Sequence, residues 1–291
     1  MKRAYIIIIA LILTGSVVYL RLVRPAPETS IARPALQTPI PAQTPPLEKA
    51  PKAPKDYAFK VGERFTYVIA WQGIPIGEAT STVEAITTYK GYEVYKIVVR
   101  AGTNDFLSAI FKIRDSFISY MDTETLESRC FEVSLREGGY KKDLVVDYDW
   151  DNRIATYQNL TDGSIKKSAL RPGARDPVCA SYYFRTLPLN PDEHIVLGIN
   201  ASEKNYEIGG TVIKEAKITV PQMGKFDAFL VEPYVKQKGE YENRVSVKGY
   251  VSQEPNRILL LIKMQVLELI PWLGEVTAKL EKIEYITPAQ D

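Results

Sequence analysis

From about Asp56 to the C-terminus the chain is written in period two. In ERFTYVIAW, Phe65, Tyr67, Ile69 and Trp71 alternate with Thr66, Val68 and Ala70, which places the two sets on opposite faces of a strand. YEVYKIVVR, FISYM, CFEVSLRE, YKKDLVVDYDW, RIATYQ, EAKITVP, FDAFLVEPYV, NRVSVKGYV, RILLLIKMQV and VTAKLEKIEYI behave similarly. Segments rich in Val, Ile, Tyr and Thr, separated by Gly/Asn/Asp/Pro turns at ~8–12 residue spacing, predict a mainly β domain: a sandwich, a barrel or a curved sheet. The 18 tyrosines suit this, since a half-buried strand can cover the ring and leave the hydroxyl at the edge. Two short helices interrupt the pattern. Asp176-Pro177 supplies an N-cap and a first-turn proline for VCASYYFRTL, and Asn104 or Asp105 caps a turn over FLSAIFK.

The first 56 residues follow other rules. Lys2 and Arg3 precede an uncharged apolar run from Ala4 to Leu20, which ends at Arg21 and Arg24. Seventeen helical residues span roughly 25 Å, short for a membrane helix and long for the apolar core of a signal peptide. Leu22 and Val23 extend the run if Arg21 snorkels. The expected organisation is a cytoplasmic tail over 1–3, an uncleaved signal-anchor helix over 4–23, a proline-rich disordered linker over 24–56, and a β-rich exported domain over 57–288. The alternative is a cleaved signal peptide that releases the domain to the periplasm. The linker contains Pro39, Pro41, Pro45, Pro46, Pro51 and Pro54 among Ala, Thr, Gln and Lys, a composition that cannot bury a core. Extended, it reaches on the order of 90 Å at ~3.1 Å per residue.

Charge narrows the partners. Residues 1–55 hold eight Lys/Arg and two Glu, a net +6, and the remaining 29 basic and 33 acidic residues give a net −4. A slightly acidic domain on a basic stem lacks the concentrated basic face that phosphate backbones require, so nucleic acid is not an expected partner.

The stretch WQGIPIGEA, residues 71–79, places two glycines four apart between apolar residues. A phosphate-binding loop would lead into a helix, but EATSTVEAI after Gly77 is a strand pattern. A GxxxG helix contact needs an apolar 20-mer that is absent here. The expectation is a hairpin with strands 64–71 and 78–86 and a turn over Gly73 to Gly77, the glycines permitting positive φ or a bulge.

GERFTYVIAWQGIPIGEATSTVE resembles the opening of the bacterial domain-of-unknown-function family 3108 (DUF3108), in which the pattern reads G-E-x-φ-x-Y-x-φ-x-W/Y-x-G-I-x-φ-G-x-A with φ apolar. Further segments resemble the family in order: IRDSFISYMDTETLESRCFEVSLREGGYKKD, then DPVCASYYFRTLPL with Cys179 where Ser or Ala is common, then MGKFDAFLVEP, NRILLLIKMQV and LGEVTAKLEKI. The resemblance covers about residues 58–286. It implies a β-rich envelope domain with a strongly curved sheet or open barrel, by analogy with lipoprotein carriers, and it brings no activity with it.

Chemistry is sparse. His194, the one histidine, lies in the loop-like NPDEHIV with no Cys or carboxylate cluster beside it, and no G-x-S-x-G elbow exists. Two isolated cysteines and one histidine do not make a zinc tetrahedron. Cys130 and Cys179 read as buried thiols or, in an oxidising compartment, as one disulfide. Asp147-x-Asp149-x-Asp151 mimics a calcium loop but has Asn152 and Gln158 where glycine and a carboxylate are needed, so it reads as a hairpin turn. No catalytic, cofactor or metal residue is nominated, and the domain is read as non-enzymatic. Arg114, Asp115 and Tyr120, with Asp176, Tyr183 and Arg185, are read as a structural network in which a carboxylate–guanidinium pair locks a helix to the sheet.

The densest apolar run is ILLLIKMQVLELIPWLG, 258–274. Its first half is apolar on both faces, so that strand is buried on both sides or borders a greasy cavity. Leu269, Ile270, Trp272 and Leu273 then occupy a turn, the candidate surface for a ligand or partner. The expected function is binding or carrying an apolar ligand, a lipid or acyl chain, on the periplasmic side of the inner membrane to which 4–23 attaches. The alternative is a structural or interaction protein in envelope assembly.

Overall fold

The computed structural model describes residues 57–237, 240–241, 245–266 and 274–287. The expected membrane helix, the proline-rich linker and the apolar turn with Leu269, Ile270, Trp272 and Leu273 lie outside them. Among the described residues no helix is long and apolar enough to cross a membrane.

The period-two segments become one sheet. β1 (Glu63–Trp71), β2 (Ile74–Tyr89), β3 (Tyr92–Thr103), β4 (Arg114–Asp122), β5 (Ser128–Glu137), β6 (Tyr140–Asp149), β7 (Ile154–Asn159) and β8 (Ile165–Ala169) form an antiparallel meander, with helix α1 (Asp105–Ser108) between β3 and β4. The chain then makes β9 (Ala174–Arg175), helix α2 (Pro177–Phe184), β10 (His194–Ala201), β11 (Lys204–Val220), β12 (Gly224–Gln237), β13 (Glu240–Tyr241), β14 (Val245–Ser252), β15 (Leu259–Val266) and β16 (Glu275–Tyr285). The strand order is β8-β7-β6-β5-β4-β3-β2-β1-β16-β15-β14-β12-β11-β10-β9, with β13 on β12. The last long strand pairs with the first, so β1–β16 joins the two halves, and among the described strands only β9–β10 is parallel.

The two ends of this order, β8 and β9, are consecutive in the chain, and side chains draw the edges together. Asn205 Nδ2 donates to the Ala169 carbonyl at 2.7 Å, the Tyr157 hydroxyl donates to Asn200 Oδ1, and Lys166 pairs with Glu203 at 3.0 Å. The sheet is therefore a barrel-like wrap whose final seam is made by side chains rather than a backbone ladder, the open form of the expected curved sheet.

Alternation decides what fills it. Phe65, Tyr67 and Ile69 of β1 meet Val83, Ile97, Val99, Phe117, Phe131, Val146, Leu260, Ile262 and Leu280 in one main core. A second cluster forms where the α2–β10 connection brings Leu189 onto Ile195, Val212, Val231 and Val251. Strand β15 sends Leu260, Ile262 and Met264 to the main core, while Leu259 packs against both clusters. Its apolar first half is thus covered by side chains on both faces. Cys130 and Cys179 are separate buried thiols.

The opening hairpin is tighter than expected. Its turn is Gln72-Gly73 alone, both at positive φ (51° and 80°), and β2 begins at Ile74. Gly77 stands inside β2 beside a register shift opposite Ile69/Ala70. A Cβ at Gly77 would come within 2.3 Å of the Gly102 carbonyl oxygen, so this glycine serves close strand approach rather than the turn. His194 also departs from expectation: it starts β10, exposed, stacked on Tyr234 with its ring nitrogens 3.2 Å from Thr211 Oγ1 and 2.6 Å from the Tyr234 hydroxyl. Asp149 Oδ1 accepts the Asn152 amide at 2.9 Å in the β6–β7 turn, while Asp147 pairs with Lys90 at 2.6 Å.

Candidate functional site

Because the meander alternates direction, its connections fall at two ends. The β2–β3, β4–β5 and β6–β7 turns share one end with the segment that leads from Tyr57 into β1 and with α2. There Asp176 caps α2, its carboxylate accepting the Cys179 amide at 2.9 Å and the hydroxyls of Ser119 and Ser128 at 2.7 and 2.6 Å. Burial pushes the Asp176 carboxyl up to about 6, against the pull of those donors. Val178, Cys179 and Tyr182 enter the main core, and the Tyr182 hydroxyl lies 2.9 Å from Ser81 Oγ. At the other terminus of α2, Arg185 donates to both carboxylate oxygens of Glu63, to the Ala58 carbonyl at 2.7 Å and to the Asn256 carbonyl at 2.9 Å. Helix, first strand and the β14–β15 turn are fastened at one buried guanidinium, whose fork geometry suits this many acceptors.

The nominated polar residues are dispersed rather than gathered. Asp176 and Arg185 hold opposite termini of α2, and the guanidinium–carboxylate pair is Arg185 with Glu63, 122 residues away. The Tyr183 ring lies under the Arg175 guanidinium at 3.5 Å. Tyr120 stacks on Tyr89. Asp115 accepts the Arg136 amide at 2.9 Å where the β4–β5 ladder stops, and Arg114 donates to the Thr103 and Ile113 carbonyls at 2.7 and 2.6 Å. Glu63 is the second position of the family's G-E opening, but its pairing was not legible there, since its partner is remote in the chain.

The opposite end carries the β1–β2 and β5–β6 turns, α1, the β7–β8 turn and the β15–β16 connection, within which the candidate residues at 269–273 fall by sequence. Here apolar side chains stand in water: Ile74 is 59% exposed, Phe106 74% and Ile110 76%, and Trp71 is partly exposed beside them. Leu107 and Phe111 turn inward onto the main core, so the four large apolar residues of FLSAIF split between two faces of one helical turn. The turn is held by polar bonds. Asn104 accepts the Leu107 amide at 2.9 Å and donates to the Pro75 carbonyl at 2.8 Å, and Thr103 Oγ1 lies 2.8 Å from Ser108 Oγ. The Asn104 cap was readable in the sequence; the exposure of Phe106 and Ile110 was not.

Inside this rim the wall stays partly open. Val133, Leu135 and Leu144 pack against the main core yet keep some exposure, whereas residues at the α2 end such as Ile97, Met121 and Leu126 have none. Two carboxyls sit in this wall. Burial raises Asp115, and burial together with Asp115 pushes Glu137 up to about 7. The arrangement offers apolar contact at the rim with two carboxyls behind it, chemistry that an apolar or amphipathic molecule can meet. No nucleophile–base pair accompanies it among the described residues.

The fold and this rim define an antiparallel β-wrap plugged by a helix at one end and apolar at the other. The profile of the family described as "Protein of unknown function (DUF3108)" matches residues 66–268, and the chain belongs to that family. No curated protein matches it. Among solved structures it is similar to a beta-barrel-like protein of the domain of unknown function DUF1849 from Brucella abortus, at 9% identity over 77% of this chain and 97% of that one, with a TM-score of 0.49. It is also similar to a protein described as exported, with a YmcC-like fold, from Bacteroides fragilis (12% identity, 78% and 98% covered, TM-score 0.29). A third is a protein described as a lipoprotein from Parabacteroides distasonis (11% identity, 78% and 98% covered, TM-score 0.31). These likenesses are loose, and the architecture above rests on the strand pairing itself.

Proposed function

We propose that the chain is a non-enzymatic, membrane-anchored cell-envelope domain that binds an apolar ligand, a lipid or acyl chain, at the rim end of its sheet. The observation that carries this reading is the contrast in inner-wall cover: Val133, Leu135 and Leu144 stay partly open at the rim, while α2 seals the other end. Burying one such side chain under a ligand contributes at about 25 cal/mol per Å² of apolar surface covered, so several together hold a chain without any charged contact. The apolar run at 4–20 and the proline-rich linker support a tether that keeps the domain close to a lipid source.

Photocrosslinking tests this in membranes containing the full chain and a diazirine-bearing phospholipid. Adducts mapped to Trp71, Leu135 or Leu144, and reduced in Leu135→Asp, are the expected result. Adducts confined to residues 4–23 would refute ligand binding by the domain while leaving the anchor intact.

A further inference from the structure

The outward side of the α1 turn takes no part in the core. Leu107 and Phe111 anchor the turn to the core, and Phe106 and Ile110, four residues apart, point the other way and are the most exposed large apolar side chains described. They sit on backbone fixed by the Asn104 cap, the Pro75 contact and the two Arg114 bonds, so presenting them costs no ordering on contact. Exposed Lys112, Arg114 and Lys141 and half-exposed Lys142 lie on the segments that flank this knob, against Asp105, Asp143 and, beside Lys142, Asp162. Asp143 is already bonded to Arg136, and the nearby Asp115 and Glu137 are buried.

We propose that this rim docks on an anionic phospholipid surface, with Phe106 and Ile110 entering the headgroup layer and the flanking lysines and Arg114 meeting phosphates. Apolar side chains ringed by Lys and Arg are the composition that lies in a membrane interface. The surface is that of the membrane carrying residues 4–23, so the inference rests on the anchored reading. The linker's reach, on the order of 90 Å, exceeds the roughly 53 Å of the sixteen-residue β2, so the domain can turn its far end back to its own membrane. The tether then raises the effective concentration of that surface and lets a weak contact persist. Docking places the open wall at Leu135 and Leu144 against the lipid it would take up.

Strand β6 provides the test, because its two flanking turns lie at opposite ends of the sheet. Gly139→Cys places a label in open space next to α1, and Asp151→Cys places one at the α2 end; the native cysteines are buried. The full chain is reconstituted in phosphatidylcholine vesicles with or without phosphatidylglycerol, and quenching by headgroup nitroxide lipids is read from each label. Docking predicts strong quenching at 139 and weak quenching at 151, in phosphatidylglycerol vesicles only. It also predicts loss of that difference in Phe106→Ser/Ile110→Ser and about fivefold weaker docking for Lys141→Gln. Equal, weak quenching at both labels in protein that resists carbonate extraction overturns the docking while sparing the anchor. Protein that washes off in carbonate overturns the anchor and, with it, the inference as stated. Quenching at 139 that ignores phosphatidylglycerol and salt overturns the anionic-lipid assignment.

Discussion

The two ends of one sheet are built by opposite principles. At the α2 end the two groups that anchor the helix are buried and answered: Asp176 by two hydroxyls and an amide, Arg185 by Glu63 and two carbonyls. At the rim end the polar bonds hold the backbone of α1, and the apolar side chains are left outside. The same meander supplies both, so the difference lies in the connections. One end is spent on stability and the other is free to meet something else.

Substitutions that break one end and spare the other sharpen this comparison. The largest effect is expected from Arg185→Leu, which strands the Glu63 carboxylate in the core; urea denaturation should show a loss of ~3–5 kcal/mol. Next comes a pH dependence. Asp176 is raised from 3.8 to about 6, so between those values the folded state binds more protons than the unfolded state and stability falls as pH rises. The fall is on the order of 3 kcal/mol, and it should vanish in Asp176→Asn. Glu137, raised from 4.5 to about 7, acts in the same direction in its own window, so Glu137→Gln flattens the upper part of the profile.

A smaller effect separates the two glycines of WQGIPIGEA. Gly77→Ala forces β2 away from the Gly102 carbonyl and should cost ~1–3 kcal/mol. Gly73→Ala meets nothing within 4 Å and should cost only about 1 kcal/mol for its positive φ. Equal values in thermal or urea melts would show that the turn, not the strand contact, sets the constraint. The smallest effect belongs to the rim: Phe106→Ser and Ile110→Ser should each change stability by no more than about 0.5 kcal/mol, since Phe106 stays 74% and Ile110 76% exposed after folding. A loss as large as that of Arg185→Leu would make the knob part of the core and erase the contrast between the ends.

Legibility followed the range of the interaction. The alternation in ERFTYVIAW and its successors is a local property, and those segments are strands. Asp176-Pro177 capped α2 and Asn104 capped α1 as short-range chemistry allows. Strand β10 and the first half of β11 were not legible, because Gly198, Gly209 and Gly210 break the pattern. Their reason is spatial: a Cβ at Gly209 would collide with the Tyr234 ring, and one at Gly198 would press on Ala174. The scattering of Arg114, Asp115, Tyr120, Asp176 and Arg185 was equally hidden, since polar residues close in sequence need not share a partner.

By itself, then, the sequence determined a mainly β domain, its two helix starts, its family and the apolar content of residues 269–273. Each depends on neighbours a few residues apart, which fix backbone preference and face. Tertiary structure alone decided that β16 closes on β1, that Glu63 answers Arg185, and that Trp71, Ile74, Phe106 and Ile110 gather at one end while α2 fills the other. Those pairings join residues tens to hundreds of positions apart, and only the direction of the strands brings them to the same place.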